Sequence, residues 1–173
     1  GENADKFLNK VISINIEIRN IGTANYAVIC NENAGILDDI IVYKKNNSDF
    51  FIIVNSENGE KILDFLLEKK ESLSFSSLEI KIHKKVILAL QGPKSPDVIK
   101  KIFFLDNSNK VLNLEYYSFC EINDLNNDEI IVARTGYTGE IGFEIIIPLK
   151  EDTRSVFDFW DKLKILGVKP CGL

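Results

Sequence analysis

The chain has 173 residues, of which 45% are hydrophobic and 27% are charged, and this composition excludes collagen-like and wholly disordered chains. A chain of this length forms one domain, or one domain and a small piece, with a core that needs no disulfides. The formal net charge of -5 argues against nucleic acid as a partner. No apolar run approaches the ~20 residues of a membrane helix, so we expect a soluble protein without a membrane partner.

The histidine and cysteine content argues against a metal centre. The three cysteines lie far apart with no Cys-x-x-Cys pair, and we expect them to act as small apolar residues in a reducing compartment. The single histidine, His83, stands beside Lys84 and is expected at the surface. The sequence therefore predicts neither structural zinc nor a histidine-based catalytic triad.

The first half of the chain is predicted to combine a β-hairpin with two helices. Apolar residues at helical spacing predict the helices, and two apolar runs joined by a five-residue turn with a glycine predict the hairpin. Alternation of apolar and charged residues predicts a last, half-exposed strand. In chain order these elements are a helix over 3–11, strands over 26–30, 36–43 and 50–54, a helix over 57–69 and a strand over 78–82.

The second half is predicted to contain further strands and two helices. The elements are a strand over 86–90, a helix that starts at Ser95, strands over 112–122, 129–133 and 143–147 separated by loops, and a helix over 153–166. Ser95 is expected to be the N-cap of its helix, with Pro96 at the first helical position. The inward stripe of the last helix is predicted to be Val156, Phe157, Trp160 and Leu163. The hairpin signals, without βαβ alternation, favour an α+β fold of antiparallel sheets with packed helices.

Two adjacent acids, Asp38 and Asp39, stand inside an apolar run, where an ionised carboxylate is costly to bury without a partner. In an uninterrupted strand, alternation puts Asp39, Ile41 and Tyr43 on one face and Asp38 on the other. One acid then faces solvent while the other enters a pocket. In the alternative arrangement both acids end the hairpin turn, and the strand begins at Ile40.

A glycine-rich segment covers residues 134–144, which read Arg-Thr-Gly-Tyr-Thr-Gly-Glu-Ile-Gly-Phe-Glu. Its three glycines imply a backbone that turns sharply or closely approaches another group. The segment is not a phosphate loop, because the Gly-Lys-Ser/Thr ending is missing and no helix signal follows. Glu144 is then either a carboxylate beside apolar neighbours in a site or a residue on the wet face of a glycine-rich hairpin.

Five segments, taken in their order, carry a resemblance to a known family. They are residues 31–43, 51–55, 90–93, 134–144 and 169–173. Together they resemble the aminomethyltransferase (T protein) family of the glycine cleavage system. The Asp-Asp and Gly-Tyr-Thr-Gly-Glu segments are specific to that family, and the resemblance runs from near residue 1 to the end. One departure is Ala34, where the family commonly has a second glycine.

The resemblance implies that residues 1–173 are the folate-binding core fragment of a three-domain enzyme, without its N-terminal segment and C-terminal domain. Such an enzyme takes an aminomethyl group from the lipoyl arm of the H protein and releases ammonia. It passes the one-carbon unit to tetrahydrofolate, its co-substrate, to give methylenetetrahydrofolate, and it uses no metal. The implied compartment is the mitochondrial matrix in a eukaryote and the cytoplasm otherwise. A site shared among domains is incomplete here, so we expect the fragment alone to be inactive.

The resemblance also assigns site residues. Asp39 matches the catalytic carboxylate beside the folate nitrogens, and Glu144 matches the residue that holds the pterin ring. The other positions expected to line the folate site are Tyr26, Ile41, Tyr43, Asn55, Tyr116 and Tyr137. The chemistry fits, because a carboxylate can accept two hydrogen bonds from a pterin edge and a fixed anion stabilises a cationic iminium-like species.

Two other functions stay open from the sequence. The folate domain of a dimethylglycine or sarcosine dehydrogenase resembles the T protein and handles a similar imine, but such enzymes carry a flavin domain upstream. A folate-binding relative without catalysis, like those of iron–sulfur assembly, typically shows a Lys-Gly-Cys motif. That motif is absent here, and the presence of Asp39 argues against such a module.

Overall fold

A computed structural model describes residues 1–123 and 129–171 of the chain. The chain divides into two compact units, Gly1–Ile82 and His83–Leu173. Each unit has one antiparallel sheet and its own helices, which confirms the predicted α+β fold. Within the described residues, every helix is too short or too polar to cross a membrane.

The first unit contains a three-stranded sheet in the order β1-β2-β3, with antiparallel neighbours. Its elements are α1 (Ala4–Val11), β1 (Thr23–Cys30), β2 (Ile36–Lys44), β3 (Phe50–Ile53), a 3-10 turn (Ser56–Asn58) and α2 (Gly59–Ser72). The hairpin turn between β1 and β2 places Ala34 at φ 60°, the left-handed region that glycine adopts more readily. The predicted hairpin and both helices are confirmed.

Residues 78–82 form no strand, although their alternation predicts one. Leu78 is buried and Ile80 packs against the same core, whereas Ile82 is 57% exposed. The prediction was wrong because alternation reports which side chains are buried, and does not report whether the backbone pairs with a neighbouring strand.

Alternation along the hairpin separates a core face from an outer face of the first sheet. The core face packs against α1 and α2, and its buried residues include Ala27, Ile29, Ile40 and Val42 from the sheet and Phe7, Leu8, Val11, Ile62 and Leu66 from the helices. On the outer face, Val28 lies opposite Asp39 and Tyr26 lies opposite Ile41. The register therefore fixes which side chains stand on the face away from this core.

A lysine at the end of β2 is buried in the first unit. Lys44 is 1% exposed, and its Nζ donates to the carbonyl oxygens of Ile16 and Glu17, each at 3.0 Å. Its own carbonyl accepts a hydrogen bond from the Gly22 N–H. Lys44 thus ties the middle and the end of the segment between α1 and β1 to the sheet.

We expect Lys44→Met to lower the free energy of unfolding by about 1–3 kcal/mol, because the carbonyl of buried Ile16 and the carbonyl of Glu17 lose their donor. Urea denaturation of the purified chain measures the change. Lys10→Met, at an exposed position of α1, is the matched control and is expected to change stability by less than ~0.5 kcal/mol. Equal stability of Lys44→Met and the wild type would show that the ammonium contributes nothing net.

The second unit contains a four-stranded antiparallel sheet in the order β4-β7-β6-β5. Its elements are β4 (Lys85–Gln91), α3 (Ser95–Ile102), α4 (Leu105–Leu112), β5 (Phe119–Asn123), β6 (Glu129–Ala133), β7 (Gly142–Pro148) and α5 (Arg154–Ile165). One face of the sheet packs against the helices around buried Phe143, Ile145 and Val132. The predicted Asn/Asp loop between β5 and β6 falls on residues 124–128, outside the described residues.

The helix α4 was not predicted, and it ends where the strand predicted over 112–122 should begin, so the first half of that strand is turn and loop instead. Its sequence is rich in Asn, Asp and Ser, which disfavour helix interiors, so propensity gives no helix signal. Tertiary packing overrides this preference, since Val111 is fully buried and the Asn107 side chain donates to the carbonyl of Asn123 on β5. Only the end of the predicted strand is correct, as β5.

Two details of the other helices also differ from the prediction. Lys94 occupies the N-cap position of α3, while the Ser95 hydroxyl donates to the carbonyl of Ile141 and connects the helix to the sheet. In α5, Phe157 is 63% exposed and Phe159 is buried in its place. Phe159 and Leu163 are four residues apart, so they share the face that meets the core.

Candidate active site

Four residues predicted for the site share the outer face of the first sheet. Asp39, Ile41 and Tyr43 alternate along β2, and Tyr26 lies opposite Ile41 on β1. Both acids belong to β2, so the alternative in which the strand begins at Ile40 is wrong. Asp39 is exposed, whereas Asp38 on the opposite face is 3% exposed. The strand thus separates a solvent-facing carboxylate from a buried one.

Two asparagines surround the buried carboxylate of Asp38. The Asn55 backbone N–H donates to Oδ2 at 3.0 Å, and the Asn55 side-chain Nδ2 donates to Oδ1 at 2.8 Å. The Nδ2 of Asn58 donates to the same Oδ1 at 2.7 Å. Asn55 and Asn58 lie on either end of the short turn after β3, where a spacing of three residues puts both side chains on one side.

These contacts decide the charge of Asp38. Burial raises the pKa of the Asp38 carboxyl, but the hydrogen bonds from Asn55 and Asn58 lower it more, and the pKa lies below its ordinary value. Asp38 is therefore an anion at neutral pH. Because the folded-state pKa is lowered, this carboxylate stabilises the fold above its ordinary pKa, and the stabilisation is lost as the pH falls through the lowered value.

The exposed carboxylate of Asp39 is held from two sides. The Nδ2 of Asn55 donates to Asp39 Oδ1 at 2.9 Å, and the hydroxyl of Tyr26 donates to Asp39 Oδ2 at 3.2 Å. An ionised carboxylate has about four acceptor positions, so two of them stay available to a ligand. The arrangement offers a fixed anion at the surface of the sheet, beside the aromatic ring of half-exposed Tyr26.

The two other predicted residues on this face are less accessible. Ile41 is 7% exposed, and Tyr43 is fully buried with its ring centroid 5.7 Å from that of Phe51. They follow Asp39 on the same face of β2, two and four residues further along the strand. Their contact with folate stays a prediction.

In the second unit, Glu144 lies on β7 between two small residues. Its neighbours across the sheet are Ala89 on β4 and Ala133 on β6. The hydroxyl of the buried Thr135 donates a hydrogen bond to Glu144 Oε2. The glycine-rich segment joins the antiparallel strands β6 and β7, so the predicted glycine-rich hairpin is present. Glu144, however, is half-buried and does not lie on a fully solvent-exposed face. Small side chains therefore flank Glu144 on both neighbouring strands.

The Gln91 side chain explains two of the three glycines. Its Nε2 donates to the carbonyl oxygens of Thr135, at 3.1 Å, and Phe143, at 3.3 Å. A Cβ on Gly142 would lie 1.9 Å from Gln91 Oε1, and one on Gly136 would lie 2.3 Å from it. These glycines therefore provide the space in which Gln91 connects the segment to the sheet.

We expect Gly142→Ala to lower the free energy of unfolding by about 1–3 kcal/mol, because the new methyl group displaces Gln91 from two buried carbonyls. The measurement is urea denaturation of this variant and of Gly142→Ala combined with Gln91→Ala. When residue 91 is already alanine, the added methyl is expected to cost less than ~0.5 kcal/mol. Gly59→Ala, where a Cβ meets nothing within 4 Å, is the control that should not destabilise the chain. Additive effects at positions 91 and 142 would contradict this account.

The tyrosines predicted for the second unit lie at its surface. Tyr116 is 67% exposed and Tyr137 is 78% exposed. The next residue, Tyr117, packs its ring edge-on against that of Tyr116, with the ring centroids 4.8 Å apart. Burial, then Tyr116 and the negative charge of Glu144, raise the pKa of Tyr117 above its ordinary value. Tyr117 also has φ 60°, so the turn that carries it is not the strand predicted here.

Four residues near the two acids of β2 or near Glu144 and its glycine-rich segment were not predicted from the sequence. They are Asn58, Gln91, Tyr117 and Thr135. Gln91 and Thr135 lie inside segments that carry the family resemblance, so that signal was present. Asn58 repeats Asn55 after three residues, a spacing that groups side chains on a 3-10 turn. Tyr117 was hidden in the Tyr-Tyr pair because the predicted strand assigned the wrong local geometry.

The three cysteines differ in exposure. Cys120 is buried, and burial raises its pKa to about 11, so it stays protonated and acts as an apolar residue as predicted. Cys30 and Cys171 are exposed. Within residues 1–123 and 129–171, no three His, Cys, Asp or Glu side chains gather in a group that could hold a metal ion.

Comparisons with known proteins agree on one family. Residues 1–173 match the family model described as GCVT N-terminal domain. The chain is 34% identical over 176 residues to an aminomethyltransferase of Francisella philomiragia and 37% identical over 174 residues to one of Thermosipho melanesiensis. Both alignments cover 100% of this chain and 45% of the relative, so the chain spans less than half the length of these curated relatives.

A solved structure shows the same fold. The crystal structure of glycine cleavage system aminomethyltransferase T from Bartonella henselae matches with a TM-score of 0.76 and 27% sequence identity. The match covers 98% of this chain and 43% of that protein.

Proposed function

Since the chain belongs to the aminomethyltransferase family, through its GCVT N-terminal domain, we propose that it is the folate-using part of a glycine cleavage T protein. In this proposal the native-length protein takes the aminomethyl group from the lipoyl arm of the H protein. It releases ammonia and transfers the one-carbon unit to tetrahydrofolate, giving methylenetetrahydrofolate. It works in the mitochondrial matrix of a eukaryote or in the cytoplasm of a bacterium.

The observation that carries the proposal is the fixed, exposed carboxylate of Asp39. The transferred carbon becomes a cationic, iminium-like centre, and an anion held in advance stabilises that charge more in the transition state than in the ground state. Hydrogen bonds from Asn55 and Tyr26 hold Asp39 in this way. The same carboxylate can accept a proton from the attacking folate nitrogen.

Glu144 supports the folate part of the proposal. A pterin edge carries an N–H and an amino group side by side, and a carboxylate can accept both hydrogen bonds at once. Thr135 donates to one Glu144 oxygen and orients the group, and the neighbours of Glu144 across the sheet are the small residues Ala89 and Ala133. The exposed rings of Tyr116 and Tyr137 would supply flat apolar surface for the folate.

The proposal is tested by supplying the native-length protein with aminomethylated H protein and tetrahydrofolate, and measuring ammonia and methylenetetrahydrofolate. We expect the two products in equal amounts, and neither when tetrahydrofolate or the lipoyl group is omitted. Transfer from dimethylglycine or sarcosine, with none from H protein, would instead assign the dehydrogenase-type alternative. Folate binding without any transfer would assign the non-catalytic alternative.

A further inference from the structure

The side-chain amide of Asn55 lies between the two acids. Its Nδ2 is 2.8 Å from Asp38 Oδ1 and 2.9 Å from Asp39 Oδ1. Ionised carboxylates only accept hydrogen bonds, so the NH2 end of this amide must face both of them. One amide group thus connects a buried carboxylate to an exposed one.

The buried acid is the fixed end of this connection. Asp38 uses both of its oxygens, one for the Asn55 backbone N–H and one for the amides of Asn55 and Asn58. These three donors leave it no freedom to rotate, and its burial prevents water from replacing them. Asn55 is therefore held at its backbone and at its side chain by the same carboxylate.

We propose that Asp38 is a positioning residue of the transfer reaction, whose buried carboxylate fixes the Asn55 amide so that the amide holds the Asp39 carboxylate in its reactive orientation. This inference rests on the proposed function, in which Asp39 acts on the one-carbon unit. It assigns the two adjacent acids different roles. Asp39 meets the substrate, and Asp38 acts only through Asn55.

The substitution Asp38→Asn tests the connection with little change in volume. An asparagine at position 38 has a single acceptor oxygen, so one of the donors from Asn55 or Asn58 faces an NH2 group instead. The Asn55 amide then loses its fixed orientation. Misplacement of a reacting group by about 1 Å can cost about 100-fold in rate, so we expect kcat of the native-length protein to fall about 10- to 100-fold. We expect KM for tetrahydrofolate to stay within about threefold.

A double-mutant cycle separates positioning from general destabilisation. If Asp38 acts through Asp39, Asp38→Asn is expected to change kcat by less than about twofold when residue 39 is already asparagine. Val42→Ala, in the core face of the same strand, destabilises the sheet without touching the carboxylates and is the stability-matched control. Its kcat should equal that of the wild type. If Asp38→Asn lowered kcat by the same factor in the wild type and in Asp39→Asn, the inference would be overturned.

A second measurement does not depend on activity. In 15N NMR spectra of the chain, the two side-chain amide protons of Asn55 should be distinct and slow to exchange in the wild type, and they should shift in both Asp38→Asn and Asp39→Asn. Unchanged Asn55 resonances in Asp38→Asn would overturn the inference whether or not the wild type is active. Absence of transfer by the wild type, with the NMR coupling present, would refute the proposed function and leave the connection intact.

Discussion

Replacing Asp39 by asparagine is expected to lower kcat of the native-length protein about 100- to 1000-fold, the usual cost of removing one preorganised electrostatic group from a transition state. The side chain keeps its size, and Tyr26 and Asn55 keep a partner at position 39. Only the negative charge and the proton acceptor are lost. Single-turnover transfer from aminomethylated H protein, followed as ammonia release, measures the effect.

The control for Asp39→Asn is Asp64→Asn, which removes one carboxylate from an exposed position of α2 in the same unit. Its rate should equal that of the wild type, because an exposed charge outside the hydrogen-bonded group around Asp39 contributes little in salt-containing buffer. A wild-type rate in Asp39→Asn would show that the transfer does not use this carboxylate. The two hydrogen bonds that hold the Asp39 carboxylate would then serve no role in catalysis.

The second large effect is expected at Glu144, where the change to glutamine should weaken tetrahydrofolate binding about 10- to 100-fold. A hydrogen bond to a charged group contributes about 1.5–3 kcal/mol, and glutamine can accept from only one of the two pterin donors. Thr135→Val removes the hydroxyl that orients Glu144, and we expect it to weaken binding by a smaller factor. Titration calorimetry with the native-length protein gives both affinities.

Glu151→Gln serves as the control for this second change, since Glu151 is an exposed carboxylate of the same unit and lies after β7. Its affinity for tetrahydrofolate should match that of the wild type. If Glu144→Gln bound tetrahydrofolate as tightly as Glu151→Gln, the pterin would be held elsewhere.

The separation of the two acids could be predicted from the sequence, because a period of two is a local property. Once β2 runs without interruption, Asp38 and Asp39 must point to opposite faces. The hairpin register, also largely local, places Tyr26 near Asp39. For the same reason the antiparallel α+β fold followed from strand patterns and turn residues alone.

The hydrogen bonds that complete both groups could not be predicted, since they join residues distant in the chain. Asn55 is 16 residues from Asp39, and Gln91 lies 44 residues from Thr135, its acceptor. No periodicity encodes such pairs. The burial of Lys44 could not be predicted for the same reason. A lysine in a strand normally indicates a solvent-exposed position, but here the backbone carbonyls of Ile16 and Glu17 accept hydrogen bonds from its ammonium group.

The most direct test of the account compares tetrahydrofolate binding by Asp39→Asn and Glu144→Gln, side by side in the native-length protein. In the proposed function, Asp39 carries out the chemistry and Glu144 binds the pterin. Calorimetry should therefore give Asp39→Asn an affinity within about threefold of the wild type, while Glu144→Gln binds at least about tenfold more weakly. Weakened binding in Asp39→Asn with unchanged binding in Glu144→Gln would contradict that assignment.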